Sequence, residues 1–329
     1  MNSEKIVLWE KEEYQYAAAY GFVPFLMSYI HEDETERPCM IVVPGGGYCV
    51  VSPSEGEIVA KEFYEKGYNA FVCTYTTNLM MNVPLKDQPM KDLSRAIRYV
   101  RKNAAKYHIN PQKIVICGFS AGGHLCATVC VHYADIREER EEYKSVSNRP
   151  DAAILSYPVI TSGEFAHRDS FIALLGADAT KEELEYMSLE KQVTEQIPPC
   201  FLWQTATDEL VPVENSALFA RACKNAGVPF AYHVFSTGRH GLSLANEDWA
   251  AAKFGDPYTM SQIFAIIDYF KQNNIPVPQQ LEAIVQMMSA TDAEHASNES
   301  KEAMAQMQPD KEVSVWPKLA EAWLQKTLQ

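Results

Sequence analysis

The sequence lacks the features that mark a membrane span, a secretory leader or a nucleic-acid surface. No stretch approaches the roughly 18 consecutive apolar residues of a membrane helix, and the N-terminus holds no apolar run long enough for a signal peptide. Basic residues are in deficit, since 29 Lys and Arg stand against 43 Asp and Glu for a net charge of −14. Nucleic acid and anionic membrane are therefore not expected as partners, because both require a basic patch that replaces counterions.

The eight cysteines form no redox or metal-binding motif. They stand at positions 39, 49, 73, 117, 126, 130, 200 and 223. None belongs to a CxxC pair or to a Cys/His cluster at zinc spacing, and most lie inside apolar runs, as expected of buried free thiols. These observations predict a soluble, reduced, cytoplasmic protein without a bound metal.

Short apolar runs alternate with amphipathic stretches along most of the chain. The runs predict strands at 25–30, 39–43, 69–75, 113–118, 152–157, 200–205 and 230–235. The stretches between them predict helices at 54–66, 90–107, 121–133 and 213–226. Leu93, Ile97, Val100 and Ala104 share one stripe of the second helix. Strands that alternate with helices predict an α/β fold with a mostly parallel central sheet flanked by helices on both faces.

The pattern changes after about residue 246. Helical patterns at 259–271 and 279–288 precede a polar stretch at 289–300, which fits either a mobile loop or a solvated helical arm. The chain closes on a predicted helix, and the residues expected on its buried face are Trp316, Leu319, Trp323 and, more loosely, Leu328.

A G-x-S-x-G motif at Gly118, Ser120 and Gly122 lies between a predicted strand and a predicted helix. A nucleophile on such a tight turn needs neighbours with almost no side chain, because the backbone is strained and closely packed. The N-terminus of the following helix presents free N–H groups toward a developing negative charge. The alternative is a glycine-rich turn in which the serine is only a helix N-cap.

Three consecutive glycines, 45–47, follow the predicted strand 39–43. Without side chains, this loop can turn its amides inward, as an oxyanion hole requires. A phosphate-binding loop is disfavoured, because no Lys-Ser/Thr pair follows at the required spacing. A flexible turn without function is the plain alternative.

A nucleophilic serine needs a base, and the base needs an orienting acid. Asp208 directly follows the predicted strand 200–205, and His240 directly follows the strand 230–235. Both therefore project from the edge of the sheet at which ligands bind in α/β folds. Glu209 is the rival acid.

The other histidines are weaker candidates for the base. His124 and His233 lie inside a predicted helix and a predicted strand, where packing is the expected role. The rest stand in polar, surface-like contexts: His31, His108, His132, His167 and His295.

These motifs together resemble the α/β-hydrolase superfamily, and within it the acetyl-xylan-esterase-like branch of carbohydrate esterases and lipases. The resemblance rests on five short motifs and on the tryptophan-containing closing helix at 316–324. The motifs are Pro-Gly-Gly-Gly-Tyr at 44–48, Gly-Phe-Ser-Ala-Gly-Gly-His-Leu at 118–125, Pro-Pro-Cys-Phe-Leu-Trp at 198–203, Thr-Asp-Glu-Leu-Val-Pro-Val-Glu-Asn-Ser at 207–216 and Gly-Arg-His-Gly-Leu at 238–242. It implies a hydrolase core at 1–245, a helical and polar insertion at 246–310 and a closing helix of the core at 311–329. The insertion leaves from the histidine loop, so it is expected to be either a lid or a subunit contact.

The resemblance also implies roles for single residues. Ser120 would be the nucleophile, His240 the general base and Asp208 the orienting acid, and an oxyanion hole would be formed by the amides of Gly46, Gly47 and Ala121. The chain departs from the common pattern at two positions. Pro44 stands where many related lipases have His, and Arg239 stands where Gly is frequent and is expected to narrow or charge the mouth of the site.

The implied activity is that of a serine carboxylic ester hydrolase. It would remove short acyl groups, acetyl above all, from carbohydrate such as acetylated xylo-oligosaccharides, with no metal or organic cofactor. A homo-oligomer is left open. The alternatives are a general short-chain esterase and a prolyl-oligopeptidase-type peptidase or amidase, the latter disfavoured by the lack of a propeller-sized N-terminal region. A catalytically silent binding protein would normally have lost one of the three site residues, and all three are present.

Overall fold

The computed structural model describes residues 1–10, 12–278, 281 and 307–329. Its strands are β1 (Lys5–Val7), β2 (Phe25–Tyr29), β3 (Arg37–Val43), β4 (Asn69–Thr74), β5 (Ile109–Phe119), β6 (Ala152–Ser156), β7 (Cys200–Thr205) and β8 (Phe230–Phe235). They form one eight-stranded sheet in the order β1-β2-β4-β3-β5-β6-β7-β8. The two contacts of β2 are antiparallel, and the contacts among β3 to β8 are parallel.

Helices cover both faces of this sheet. They are α1 (Glu57–Glu65), α2 (Gln88–Lys102), α3 (Ser120–His132), α4 (Glu141–Lys144), α5 (Arg168–Leu175), α6 (Lys181–Tyr186), α7 (Glu214–Ala226), α8 (Glu247–Ala250), α9 (Ser261–Gln272) and α10 (Trp316–Thr327). Helices α2, α3 and α7 contribute to the core on one face, and α1 and α10 to the core on the other. Within β5, Ile114 and Ile116 point into the first core and Val115 and Cys117 into the second. A strand buried on both faces needs apolar residues at every position, which explains its continuous apolar run.

The predicted α/β fold is confirmed, with local differences. All seven predicted strands are present, but β5 begins at Ile109 rather than at residue 113. Strand β1 was missed because it is only three residues long and buries a single side chain, Ile6. Helix α2 ends at Lys102, before the predicted end at residue 107, although Ala104 beyond it is still buried.

The closing helix α10 is attached to the core by its first residue. The Trp316 ring stacks on Trp203 of β7 with the ring centroids 5.3 Å apart, and its indole N–H donates a hydrogen bond to the Ser243 carbonyl at 2.8 Å. The fully buried stripe continues through Ala320 and Leu324, at a spacing of four residues. The predicted face is therefore partly wrong, since the following residues flank that stripe and are only half-buried: Leu319, Trp323 and Leu328.

Only part of the predicted insertion lies within the described residues. Helix α9 buries Ile263, Ile266 and Phe270 in a small apolar cluster beside Tyr20. The Gln262 side chain fixes α9 to the loop after β4, because its Oε1 accepts the Thr77 N–H at 2.8 Å and its Nε2 donates to the Thr77 carbonyl at 2.6 Å. The predicted helix 279–288, apart from residue 281, and the polar stretch 289–300 lie outside the described residues. Among the described helices, none is long and apolar enough to cross a membrane.

Glycine is required where β3, β5 and α3 meet. A Cβ on Gly122 would overlap the carbonyl oxygens of Val43 and Pro44. Gly67, in the turn after α1, has a φ of 87° but no atom within 4 Å of its would-be Cβ. The first position therefore excludes a side chain by contact, and the second only disfavours one by backbone conformation.

Substituting Gly122→Ala tests the contact directly. The added methyl group meets backbone atoms that cannot rotate away, so we expect the free energy of unfolding to fall by about 3 kcal/mol or more. The matched control, Gly67→Ala, carries only the conformational penalty and should cost about 1 kcal/mol. Urea unfolding followed by circular dichroism measures both. Equal losses in the two variants would contradict the close contact at Gly122.

Candidate active site

Ser120 lies at the turn between β5 and α3. Its φ of 52° falls in the left-handed region, which costs a non-glycine residue energy and is found where surrounding structure enforces it. The Val159 N–H donates to the Ser120 carbonyl at 3.1 Å and helps to hold the turn. The serine hydroxyl is thereby directed away from the sheet and into a cleft at the carboxyl ends of the parallel strands.

Three side chains predicted from the sequence meet at this turn. The Ser120 hydroxyl donates to Nε2 of His240 at 2.8 Å, and Nδ1–H of His240 donates to Oδ2 of Asp208 at 2.7 Å. The other carboxylate oxygen of Asp208 accepts the amides of Leu210 at 3.1 Å and Val211 at 2.9 Å. Because Nδ1 of His240 carries the proton that it donates to Asp208, Nε2 is free to accept a proton. This is the tautomer that a base for Ser120 needs.

The rival residues lie elsewhere. Glu209 is exposed, and the carboxylate bonded to His240 is that of Asp208. His233 lies in the edge strand β8 with its ring 5.0 Å from that of Phe201, as expected of a packing residue. His132 was expected at the surface but is buried, with a ring nitrogen 3.0 Å from the Tyr186 carbonyl oxygen. His295 lies outside the described residues.

The glycine loop lies alongside Ser120 with its amides available. Gly46 and Gly47 have φ values of 121° and 64°, and the Gly46 carbonyl accepts the amide of Cys49 at 2.9 Å. Within the described residues, neither Gly46 nor Gly47 donates its own amide to a protein group. Ala121 is the second residue of α3, where amides have no partner within the helix. The three amides therefore have the free donor that an oxyanion hole requires.

Tyr48 and His124 anchor the end of the glycine loop. The Tyr48 hydroxyl and Nδ1 of His124 are 2.8 Å apart, and Nε2 of His124 is 3.0 Å from the Met187 carbonyl oxygen. The carbonyl can only accept, so Nε2–H donates to it and Nδ1 accepts from the tyrosine. Burial lowers the pKa of His124 to about 4, although the Met187 carbonyl opposes the shift. His124 is therefore neutral, and a neutral ring suits both bonds.

The cleft above Ser120 has a volume of about 620 Å³ and a mixed lining. Its apolar residues include Val50, Met81 and Met260, the last of these from the segment 246–310. Its polar residues include His167 and Asp169 at the start of α5. An apolar group and a polar group can thus both be accommodated beside the serine.

Arg239 does not narrow this cleft as expected. Its guanidinium lies over the Trp249 ring, 5.5 Å from the centroid, and it is not among the residues that line the cleft. The position before His240 points away from the site, which removes the reason for glycine there. Trp249 and Tyr48 are both 1% exposed and present no open aromatic face to a ligand.

Several cleft residues were missed by the sequence reasoning. His167 was set aside as a surface residue, yet it lines the cleft and its Nδ1 is 2.8 Å from the Ser170 hydroxyl oxygen. Glu55, Met81 and Met260 carry no motif that could have marked them. Within the part of the chain that the structure describes, no cluster of three or more His, Cys, Asp or Glu side chains could hold a metal ion.

Comparison with known proteins places this site in a family. The BD-FAE family model matches residues 28–223. The chain is 53% identical over 255 residues to endo-1,4-beta-xylanase B of Butyrivibrio fibrisolvens, with 78% of this chain and 40% of that protein covered. It is 30% identical over 227 residues to an acetylxylan esterase of Xylanibacter ruminicola, with 67% and 44% covered. The chain therefore spans less than half the length of these curated relatives.

Solved structures show the same fold. The acetyl ester-xyloside bifunctional hydrolase of Caldicellulosiruptor lactoaceticus superposes with a TM-score of 0.68 at 38% identity, over 83% of this chain and 97% of that one. An α/β hydrolase from a Medee basin deep-sea metagenome library superposes with a TM-score of 0.62 at 26% identity over the whole chain. The predicted α/β-hydrolase fold is confirmed.

A serine-directed fluorophosphonate tests the hydrogen-bonded chain without any assumption about substrate. The Ser120 oxygen would form a bond to phosphorus and fluoride would leave, which requires His240 to accept the serine proton. We expect Asp208→Asn to slow labelling by about 10³-fold or more, because an amide favours the wrong histidine tautomer. Glu209→Gln, the neighbouring carboxylate, should label at the wild-type rate. Mass spectrometry of the intact protein follows the reaction, and equal effects of the two substitutions would refute the assignment of the acid.

Because His124 is buried in its neutral form, we expect the free energy of unfolding to fall at acid pH. Its pKa of about 4 lies below the value near 6.5 of an unfolded histidine, so the unfolded chain binds the extra proton first. The contribution to stability is complete above pH 6.5 and is lost as the pH falls toward 4, amounting to about 2 kcal/mol between pH 7 and pH 5. In urea titrations, His124→Gln should lose that part of the pH dependence, and His31→Gln should retain it. An unchanged slope in His124→Gln would contradict a neutral buried ring.

Proposed function

The chain belongs to the BD-FAE family, and from that membership we propose that it is a serine carboxylic ester hydrolase that removes short acyl groups, acetyl above all, from carbohydrate such as acetylated xylo-oligosaccharides. The observation that carries the proposal is the hydrogen-bonded chain from Ser120 through His240 to Asp208, which opens on a cleft bordered by free loop amides. The acetylxylan esterase relative and the acetyl ester-xyloside hydrolase structure support an acylated sugar as the substrate class.

The reaction is acyl transfer in two halves. His240 takes the Ser120 proton while the serine oxygen attacks the ester carbonyl, and the amides of Gly46, Gly47 and Ala121 receive the negative charge on the carbonyl oxygen. The alcohol leaves with the proton from His240. Water then loses a proton to the same histidine and attacks the acyl carbon. The bond to the serine oxygen breaks, Ser120 takes back the proton from His240, and the acid is released. Asp208 holds the histidine ring and stabilises its charged form.

The mixed lining of the cleft supports a substrate with an apolar part and a polar part. Val50, Met81 and Met260 suit a short acyl group, and His167 and Asp169 suit the hydroxyl groups of a sugar alcohol. Met260 belongs to the segment 246–310, so we propose that the described part of this insertion contributes to substrate binding beside the core defined by 1–245 and 311–329.

The xylanase name of one relative raises a glycosidase as a second candidate. Glycosidases generally use two carboxyl groups that flank the scissile bond. In this cleft both oxygens of Glu55 already accept hydrogen bonds inside the protein, from Gly45 and Tyr157. Among the cleft-lining residues that the structure describes, only Asp169 is left as an acidic group without such bonds, which supports ester hydrolysis over glycoside hydrolysis.

Release of acetate from acetylated xylo-oligosaccharides tests the proposal. Wild-type protein should release acetate and also hydrolyse an aryl acetate, and Ser120→Ala should lose both activities by about 10⁴-fold or more, because the nucleophile is gone. An aryl xyloside serves as the control substrate and should be left intact. Cleavage of the aryl ester without sugar deacetylation would reject the carbohydrate substrate, and cleavage of the xyloside would favour the glycosidase.

A further inference from the structure

Glu55 is a buried carboxylate beside the nucleophile that the proposed mechanism does not use. It ends the 3₁₀ turn Pro53–Glu55 and is only 4% exposed. Within the described residues, no Lys, Arg or His forms an ion pair with it. A buried carboxylate without a cationic partner is costly unless its hydrogen bonds compensate, so its contacts identify what it stabilises.

One oxygen of Glu55 holds the glycine loop. Its Oε2 accepts the Gly45 N–H at 2.7 Å. Gly45 lies against the serine turn, since a Cβ placed on it would lie 2.8 Å from the Ser120 Cβ and 2.6 Å from the Phe119 carbonyl oxygen. The Gly45 peptide is thus confined between the serine turn and the carboxylate. Gly46 and Gly47 follow directly in the chain. The position of their amides therefore depends on the hydrogen bond between Gly45 and Glu55.

The other oxygen reaches the histidine loop through Tyr157. The Tyr157 hydroxyl donates to Glu55 Oε1 at 2.6 Å and accepts the Ser243 N–H at 3.0 Å. Ser243 lies three residues after His240 and donates its own hydroxyl to the Ser54 carbonyl at 2.6 Å. The Tyr157 ring packs edge-on against His240, with the centroids 5.0 Å apart.

We propose that Glu55 is a positioning residue for catalysis, whose carboxylate ties the oxyanion loop at Gly45 to the histidine loop at Ser243 through the Tyr157 hydroxyl. This assignment rests on the proposed roles of Ser120, His240 and the loop amides. Such a link sets the distance between the oxyanion donors and the base. A displacement of about 1 Å in such an arrangement can lower the reaction rate by about 100-fold.

The charge of Glu55 agrees with this placement. Burial raises the pKa of Glu55 above its ordinary value, and the hydrogen bonds from Tyr157 and Gly45 and the proximity of His240 offset only part of that rise. The groups that face the carboxylate are thus donors and the catalytic imidazole. A carboxylate at this position favours the imidazolium that forms when Ser120 attacks.

The variants Glu55→Gln and Tyr157→Phe test the link. An amide keeps the size of the side chain but must present its NH₂ group to either the Gly45 N–H or the Tyr157 hydroxyl. We expect Glu55→Gln to lower kcat for an aryl acetate by about 10- to 100-fold with KM changed less than about twofold, because oxyanion donors act mainly in the transition state. Tyr157→Phe should lower kcat in the same way. The double variant should lose little more than Glu55→Gln alone, since both break one chain of bonds.

A boronic acid separates positioning from a general loss of structure. Ser120 adds its oxygen to the boron atom, its proton passes to His240 and no bond to boron breaks, so the adduct resembles the tetrahedral intermediate. Inhibition by phenylboronic acid should weaken in Glu55→Gln by about the factor seen in kcat.

Asp92→Asn is the matched control for burying an amide in place of a carboxylate. Asp92 is fully buried and accepts bonds from the Thr76 amide and hydroxyl, Gln88 and Trp9, none of which line the cleft. It should lower the thermal midpoint and leave kcat unchanged.

Three outcomes would overturn the proposal: Glu55→Gln with unchanged kcat, a fall in kcat matched in Asp92→Asn, or boronate affinity that does not follow kcat. If Glu55→Gln fails to fold, Tyr157→Phe carries the same test. If wild-type protein hydrolyses no ester, the proposed function fails, and the fluorophosphonate labelling rate of Ser120 in Glu55→Gln still decides the role of Glu55.

Discussion

The close approach of three backbone segments at Ser120 is the constraint on which the rest of the site depends. The end of β3, the glycine loop and the first turn of α3 lie so close that a side chain at Gly45 or Gly122 would meet backbone atoms. This contact places the loop amides beside the nucleophile and holds Ser120 at a φ of 52°. This strained backbone conformation persists because the surrounding strands are buried on both faces and closely packed, so the turn cannot relax.

Hydrogen bonds between polar groups then fix the positions of the catalytic side chains and of the loops that carry them. His240 and Asp208 come from loops that follow β8 and β7, and backbone amides of Leu210 and Val211 hold the aspartate. Glu55 and Tyr157 connect the glycine loop with the histidine loop below the cleft. The site is thus supported by buried hydrogen bonds between loops that are far apart in sequence, rather than by any single element.

The features of this arrangement that depend on local sequence pattern could be predicted from the sequence. Apolar runs and helical stripes marked the parallel sheet, and the glycines around Ser120 marked the turn, because each follows from periodicity or from the absence of a side chain. Asp208 and His240 were found from their places after two strands. Glu55 and Met260 were missed, because their importance depends on distances between segments that no spacing along the chain records. The misplaced face of α10 has a similar cause, since packing against Trp203 selects the stripe.

The attachment of α10 determines when the site is complete during synthesis. Trp316 bonds to the carbonyl of Ser243 and stacks on β7, so the histidine loop has its final support only from the closing helix. A nascent chain on the ribosome can pair β3 to β7 and form the serine turn long before that helix emerges. Because synthesis runs from the N-terminus, the hydrogen bond from Trp316 is the last of the histidine loop's supports to form, after those from Asp208 and Tyr157.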